Sequence, residues 1–112
     1  MKKFFVFYLA SPELVAKWRE EGMTDESKKG MDEWMQWMKD HADIYVDKGG
    51  PLGKTKLVTA EGVSDTKNNI TGYAIVQAES HEAAAQLFAG NPYFKMNGAT
   101  MEVMEVSEMK GM

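Results

Sequence analysis

The chain has 112 residues, no cysteine, and a net charge of −4 from 17 acidic and 13 basic side chains. This length predicts a single domain, residues 1–112, with enough buried surface to fold without disulfides. The missing cysteines exclude thiol catalysis and Cys-ligated metals, and the acidity, with a single arginine, argues against nucleic-acid binding. No segment approaches the ~18 consecutive apolar residues of a membrane span, so we expect a cytoplasmic protein with no membrane partner.

The first half of the chain shows one strand followed by two helices. The aromatic and β-branched run 4–10 predicts a buried strand, and the Ser-Pro-Glu sequence at 11–13 begins a short helix that ends near Gly22. A second helix opens with Thr-Asp-Glu at 24–26 and is firmest over residues 31–43.

The second half of the chain is rich in strand and turn patterns. We predict, in chain order, a short strand (44–46), an irregular glycine-rich turn (49–53), a strand and its short return (55–59 and 63–64), a polar loop (65–71), a strong strand (72–77), a helix capped by Ser80 and ended by Gly90, and a last strand (100–106). Without the first helix and the 55–64 ribbon, the order is β-α-β-β-α-β. This order predicts an α+β, ferredoxin-like split βαβ fold with helices on one face of an antiparallel sheet.

The other face of that sheet is predicted to be apolar as well. The first strand carries bulky apolar side chains at both alternating sets of positions, Phe5, Phe7 and Leu9 in one and Phe4, Val6 and Tyr8 in the other. A sheet face in contact with water should instead carry polar residues. We therefore expect a second copy of the chain to cover the open face and form a homodimer.

One histidine of the second helix is a candidate catalytic residue. At about 100° per residue, Trp34, Trp37 and His41 lie close together, away from the charged face of the helix. His41 is a candidate general base or ligand donor in an aromatic-lined pocket, with Asp47 as its orienting or acid partner. The alternative is a structural histidine bonded to a backbone carbonyl near the helix end, because the sequence does not fix the distance from His41 to Asp47.

Aromatic and basic side chains are candidate ligand contacts. Trp34 and Trp37 are expected to line a pocket, and Tyr8 and Tyr73 carry hydroxyls that require partners. Packing in the core or in the dimer interface is the alternative for these aromatic residues. Lys54 is a candidate contact for a small anion, although the segment around it lacks the GxxxxGK[ST] spacing of a phosphate loop.

The histidines do not suggest a metal site. The chain has two of them, far apart in the sequence, and no cysteine, so we predict neither a metal nor a cofactor. His81 falls at the start of the last helix and is expected to lie at the surface.

Several segments carry a family resemblance. They are the strand at 4–10, Gly-Gly-Pro-Leu-Gly at 49–53, Ser-His-Glu-Ala-Ala at 80–84, and Asn-Pro-Tyr-Phe at 91–94 with Gly98 ahead of the MEVMEV strand. Together they resemble the YCII-related family of the dimeric α+β barrel group. The GPLGKTK and GVSD segments at 50–56 and 62–65 are similar to an uncharacterised subgroup of that family.

The resemblance implies a small enzyme with a His–Asp pair whose histidine lies on the long helix. Near the corresponding position this chain has Glu33 and Trp34, so the pair does not carry over directly. His41 lies about two turns later and would be a displaced substitute.

These observations lead to one leading hypothesis and two alternatives. The leading one is a YCII-like, cofactor-independent enzyme that acts on a small organic molecule by acid/base chemistry. The alternatives are a non-catalytic small-molecule-binding or accessory dimeric module and a purely structural homodimer. A pocket with His41 and an acid within hydrogen-bonding reach favours the enzyme, a pocket lined by Trp and Met alone favours the binding module, and the lack of a pocket favours the structural dimer.

Overall fold

The computed structural model describes residues 1–22, 24–95 and 98–107. Its elements are, in chain order, β1 (Lys2–Leu9), α1 (Pro12–Glu21), α2 (Asp25–Asp40), β2 (Tyr45–Pro51), β3 (Thr55–Thr59), β4 (Gly62–Thr66), β5 (Ile70–Ala78), α3 (His81–Phe88) and β6 (Thr100–Glu105), with short 3-10 turns at Ala42–Ile44 and Pro92–Lys95. No helix in the described ranges is both long and apolar enough to cross a membrane.

The main sheet has the predicted topology. Strands β2, β5, β1 and β6 form, in that order, a four-stranded sheet in which every neighbouring pair is antiparallel. This is the strand order of the ferredoxin-like split βαβ arrangement, so the predicted α+β fold is confirmed. Strands β3 and β4 form a separate two-stranded antiparallel ribbon.

The core lies between the sheet and helices α2 and α3. Alternate side chains of β1 point to this side, and they are buried together with residues of β5 and α3, among them Phe4, Val6, Ala74, Val76 and Phe88. Phe4 and Phe88 are 0% and 2% exposed, and full burial of such a side chain contributes about 1.5–3 kcal/mol. Neither α1 nor α2 has a fully buried residue, but Trp34 and Trp37 of α2 pack against the core, whereas α1 contributes no residue to it.

The helices begin where the sequence predicts. Ser11, Thr24 and Ser80 each accept a hydrogen bond from the backbone N–H three residues later, which stabilises the first turn. Helix α1 ends at Glu21 and is capped by Gly22, which adopts a φ of 65°. Helix α2 ends at Asp40, earlier than predicted, because the chain tightens into a 3-10 turn in which the N–H of Ile44 donates to the carbonyl of His41.

The segment predicted as a glycine-rich turn is partly a strand. Strand β2 continues to Pro51, but its pairing with β5 shifts twice, between Tyr45 and Asp47 and again between Asp47 and Gly50. Gly49 has a φ of 64°, and a Cβ at this position would lie 1.9 Å from the carbonyl oxygen of Tyr73. The carboxylate of Asp47 accepts a hydrogen bond from the N–H of Gly49 at 2.8 Å. The predicted irregularity is therefore a bulge inside the sheet.

Candidate functional site

An aromatic cluster fills the space between α2 and the sheet. The ring of Trp34 meets Tyr8 and Tyr93 edge-on, with centroid distances of 5.0 and 5.7 Å. Trp37, one helical turn later, packs on Phe88 of α3 at 5.1 Å. These contacts bring together Tyr8, Trp34 and Trp37, three of the predicted ligand-binding residues.

His41 is held in one orientation at the end of α2. Its Nδ1 lies 2.8 Å from the carbonyl oxygen of Trp37, and its ring stacks on the Trp37 indole at 4.1 Å and 22°. A carbonyl oxygen can only accept, so Nδ1 carries the proton, and in the neutral ring Nε2 keeps a lone pair. The side chain is half-buried. The arrangement fixes the tautomer and leaves Nε2 as the basic atom.

Asp47 occupies the opposite face of the sheet. It pairs with Ile75 in β5, which in turn pairs with Phe5 in β1, and directly opposed residues share a face. Among the described residues, no hydrogen bond or ion pair joins Asp47 to His41. His41 is oriented by the hydrogen bond that its Nδ1–H donates to the Trp37 carbonyl. The Asp47 carboxylate instead accepts a hydrogen bond from the N–H of Gly49.

The other two candidate ligand contacts lie away from the cluster. Tyr73 is half-buried on the open face, with its ring 6.1 Å from that of Phe5. Lys54 is exposed between β2 and β3, where it lines a groove of about 890 Å³. The predicted residues are thus distributed over three places. Tyr8, Trp34, Trp37 and His41 form one group, Asp47 and Tyr73 share the open face, and Lys54 belongs to the groove.

Tyrosine hydroxyls around the cluster are poor acids. Burial raises the pKa of Tyr45 to about 12, with a smaller opposing effect from the Tyr8 hydroxyl. Burial, followed by the charge interaction with Tyr45, raises the pKa of Tyr8 well above its ordinary value. The buried Tyr45 oxygen has no hydrogen-bond partner among the described residues by distance and angle. Both groups stay neutral at physiological pH and can act there as hydrogen-bond donors.

A third tyrosine, by contrast, has well-defined partners. The Tyr93 hydroxyl lies 3.0 Å from Oγ1 of Thr71 and 3.3 Å from the carbonyl oxygen of Leu9. Thr71 Oγ1 donates to the carbonyl of Tyr8 at 3.0 Å. Burial raises the pKa of Tyr93, and the Thr71 hydroxyl opposes this shift. These bonds fix the 3-10 turn that carries Tyr93 to the adjacent ends of β1 and β5.

Carboxylates beside the cluster are engaged in pairs. Glu33, near the position where the family resemblance implies a histidine, is paired with Lys95, and the hydrogen bond from Lys95 holds the pKa of Glu33 below its ordinary value. Within the described ranges, no three His, Asp or Glu side chains come close enough together to hold a metal ion.

The structure also shows roles that the sequence did not suggest. His81, expected at the surface, is exposed, yet its Nε2 donates to the Val103 carbonyl at 2.7 Å and its ring stacks on Phe4 at 5.3 Å. It links α3 to the edge strand β6. The ring contacts of Tyr45 and the hydrogen bonds of Tyr93 were also not predicted, because single tyrosines outside a periodic pattern give no signal of what they contact.

Comparison with known proteins agrees with this architecture. The structure of 5-chloro-2-hydroxyhydroquinone dehydrochlorinase (TftG) from Burkholderia phenoliruptrix AC1100, in complex with 2,5-dihydroxybenzoquinone, is similar with a TM-score of 0.53 and 18% identity over 96% of both chains. This likeness shows the dimeric α+β barrel type of fold. No curated protein sequence matches the chain. The sequence model of the YCII-related domain matches residues 7–110, and the chain therefore belongs to the YCII-related family, as its motifs suggested.

Proposed function

We propose that this protein binds a small organic molecule and acts on it by acid/base chemistry without a cofactor, with His41 transferring the proton through Nε2. The observation that carries this proposal is the geometry of His41. The Trp37 carbonyl holds Nδ1 and fixes the tautomer, so that Nε2 is the atom left to accept or donate a proton.

The proposal requires a planar organic substrate to bind against the aromatic side chains beside His41. The stacked indole of Trp37 forms one wall beside the imidazole, and the half-buried Trp34 extends the aromatic surface toward Tyr8. TftG is a dehydrochlorinase with a bound six-membered-ring molecule. A substrate of similar size is consistent with the aromatic surface beside His41.

The proposal includes a homodimer formed through the open face of the sheet. The side chains of Phe5, Phe7, Leu9, Tyr73 and Ile75 on this face are half-buried in the isolated chain, and Phe5 stacks on Phe7 at 5.3 Å. A contiguous apolar face of this kind is typical of a surface that a second subunit covers. Asp47 and Tyr73 would then lie at the subunit interface. The cytoplasmic location expected from the sequence also remains part of the proposal.

Asp47 lies across the sheet from His41, so the proposal keeps it as a separate acid on the open face rather than as the partner of His41. Its structural bond can be separated from its charge. The Asp47→Asn variant keeps an oxygen that accepts from the Gly49 N–H but removes the ionisable carboxylate. We expect this variant to fold and dimerise normally and to lose turnover. If its turnover matches that of the wild type, the carboxylate has only a structural role.

The main experiment identifies the ligand and then tests His41. Small molecules retained by the purified protein would be identified by mass spectrometry, and their consumption by fresh protein would be followed in the same way. His41→Asn keeps a donor for the Trp37 carbonyl but removes Nε2, so we expect it to retain binding and lose turnover by about 10²-fold or more. His81→Gln, which keeps a donor near the position of Nε2 for the Val103 carbonyl, is the matched control. Undiminished turnover in the His41 variant would contradict the proposal.

A non-catalytic binding module is the second candidate. The groove that contains Lys54 favours it, because this concave site has no histidine in its lining. Retained ligand that wild-type protein never converts, with binding unaffected by His41→Asn, would support this second function over the first.

A further inference from the structure

The groove beside α1 is separate from the aromatic cluster. It lies between α1, the end of β2 and the β3–β4 ribbon, has a volume of about 890 Å³, and shares no lining residue with the group of Tyr8, Trp34, Trp37 and His41. This volume is typical of sites for small organic ligands. Helix α1 buries no residue in the isolated chain, so its groove-facing side is open to a ligand.

The charge of this groove is opposite to that of the whole protein. The chain has a net charge of −4, whereas the described residues of the lining include one arginine, three lysines and a single acidic residue. That acid, Asp65, forms an ion pair with Lys56. Across the described ranges this is the one ion pair between lining residues. The positive charges of Arg19, Lys54 and Lys67 are therefore not offset by an acid of the lining. A concave surface with this charge concentrates anions.

The rest of the lining is apolar, with one further hydrogen-bond donor. Trp18 and Val15 of α1 face the groove, together with Leu52 and Ile70. The Oδ1 atom of Asn68 accepts from the N–H of Ile70 at 2.9 Å, which leaves the side-chain NH₂ group of Asn68 available as a donor. Apolar walls with a few polar groups are the usual composition of a small-molecule site.

We propose that the groove binds a small organic anion, with the charged group near Arg19, Lys54 and Lys67 and the apolar body against Trp18. A carboxylate on an aromatic or aliphatic body fits this combination, since guanidinium and ammonium groups bind its oxygens and the indole packs on the body. The site does not depend on His41, so it stands whether or not the proposed acid/base function is correct.

The three tryptophans provide separate reporters for the two places. Trp18 lines the groove, whereas Trp34 and Trp37 belong to the cluster. In ¹H–¹⁵N NMR spectra of the full chain, the Trp18 indole signal is assigned as the one lost in Trp18→Phe. The probe is 2-naphthoate, and its neutral counterpart 2-naphthamide has nearly the same shape. We expect 2-naphthoate to shift the Trp18 signal saturably and 2-naphthamide to shift it much less.

Charge variants then test the cations. Replacing Lys54 and Lys67 together with glutamine should weaken 2-naphthoate binding by about tenfold, since exposed charge pairs contribute modestly. The control replaces Lys39 and Lys48, exposed lysines outside the lining, and changes the net charge equally. Equal effects of the two double variants, equal shifts with both probes, or no shift of Trp18 would each overturn the inference. Shifts confined to Trp34 and Trp37 would overturn it while supporting a ligand at the cluster.

Discussion

Replacing a tyrosine by phenylalanine at two positions should change stability in opposite directions. The buried Tyr45 hydroxyl has no hydrogen-bond partner within the described ranges, whereas the Tyr93 hydroxyl contacts Thr71 and the Leu9 carbonyl at 3.0 and 3.3 Å. A buried unpaired polar group costs about 1–3 kcal/mol, so Tyr45→Phe should leave the free energy of unfolding unchanged or raise it by about 1 kcal/mol. Tyr93→Phe loses its bonds and should lower that free energy by about 0.5–1.5 kcal/mol.

Urea denaturation of the wild type and both variants, at one protein concentration, measures these differences. A loss of more than about 1 kcal/mol in Tyr45→Phe would refute the reasoning, because it would mean that the hydroxyl forms a favourable interaction in the folded protein. Tyr93→Phe is the matched control, since it removes the same atom from a similar aromatic setting.

The remaining predictions concern pH, the bulge, a histidine and the dimer. Tyr45 has an ordinary pKa of 10.0 but a pKa of about 12 in the folded protein. Between these two pH values the folded state therefore holds more protons than the unfolded state. The free energy of unfolding should therefore fall as pH rises through this window, by about 1 kcal/mol more in wild type than in Tyr45→Phe after allowance for solvent screening. Gly49→Ala should lower the free energy of unfolding, measured by urea denaturation, by about 3 kcal/mol or more, because its Cβ would meet a backbone oxygen at 1.9 Å. Gly50→Ala is the control, since its Cβ would meet nothing within 4 Å, and it should change stability by less than about 1 kcal/mol. Equal effects would contradict the bulge geometry. His81→Ala should lower the free energy of unfolding by about 1 kcal/mol, because it removes the hydrogen bond to the Val103 carbonyl of β6. An unchanged stability would mean that this bond makes no net contribution. In sedimentation, the wild type should have twice the 12.6 kDa chain mass and Phe7→Lys the mass of one chain; a monomeric wild type would contradict the proposed dimer.

Local signals in the sequence were sufficient for most of the fold. Ser11, Thr24 and Ser80 mark the three helix starts because an N-cap contact involves residues only three positions apart. The strands at 4–10 and 72–77 were recognised from aromatic and β-branched runs, and β1 and β5 lie there. The extent of β2 was missed because its glycines indicate a turn locally, whereas pairing with β5 keeps them in the sheet.

The candidate site was only partly accessible from the sequence. Helical spacing placed Trp34, Trp37 and His41 together, and their grouping is observed because all three lie on one face of α2 or at its end. The face of the sheet that Asp47 occupies depends on the pairing shift between Tyr45 and Asp47, and no local pattern encodes that register. The cationic groove depends on how α1 faces the β3–β4 ribbon, a tertiary arrangement without a sequence periodicity.

The two apolar faces of β1 have a consequence for how accurately the sheet assembles during folding. In most sheets a one-residue slip is prevented because it would expose the apolar side chains, but β1 would present bulky apolar groups to both sides in either alignment. Steric fit must therefore select the alignment. Tyr8 lies opposite Gly72, where an added Cβ would come within 3.0 Å of the Tyr8 ring, and a slip would place the ring opposite Thr71 or Tyr73. Gly72 thus favours the native alignment of β1 with β5. Replacing it with a larger residue should yield misaligned, aggregation-prone chains as well as a less stable native state.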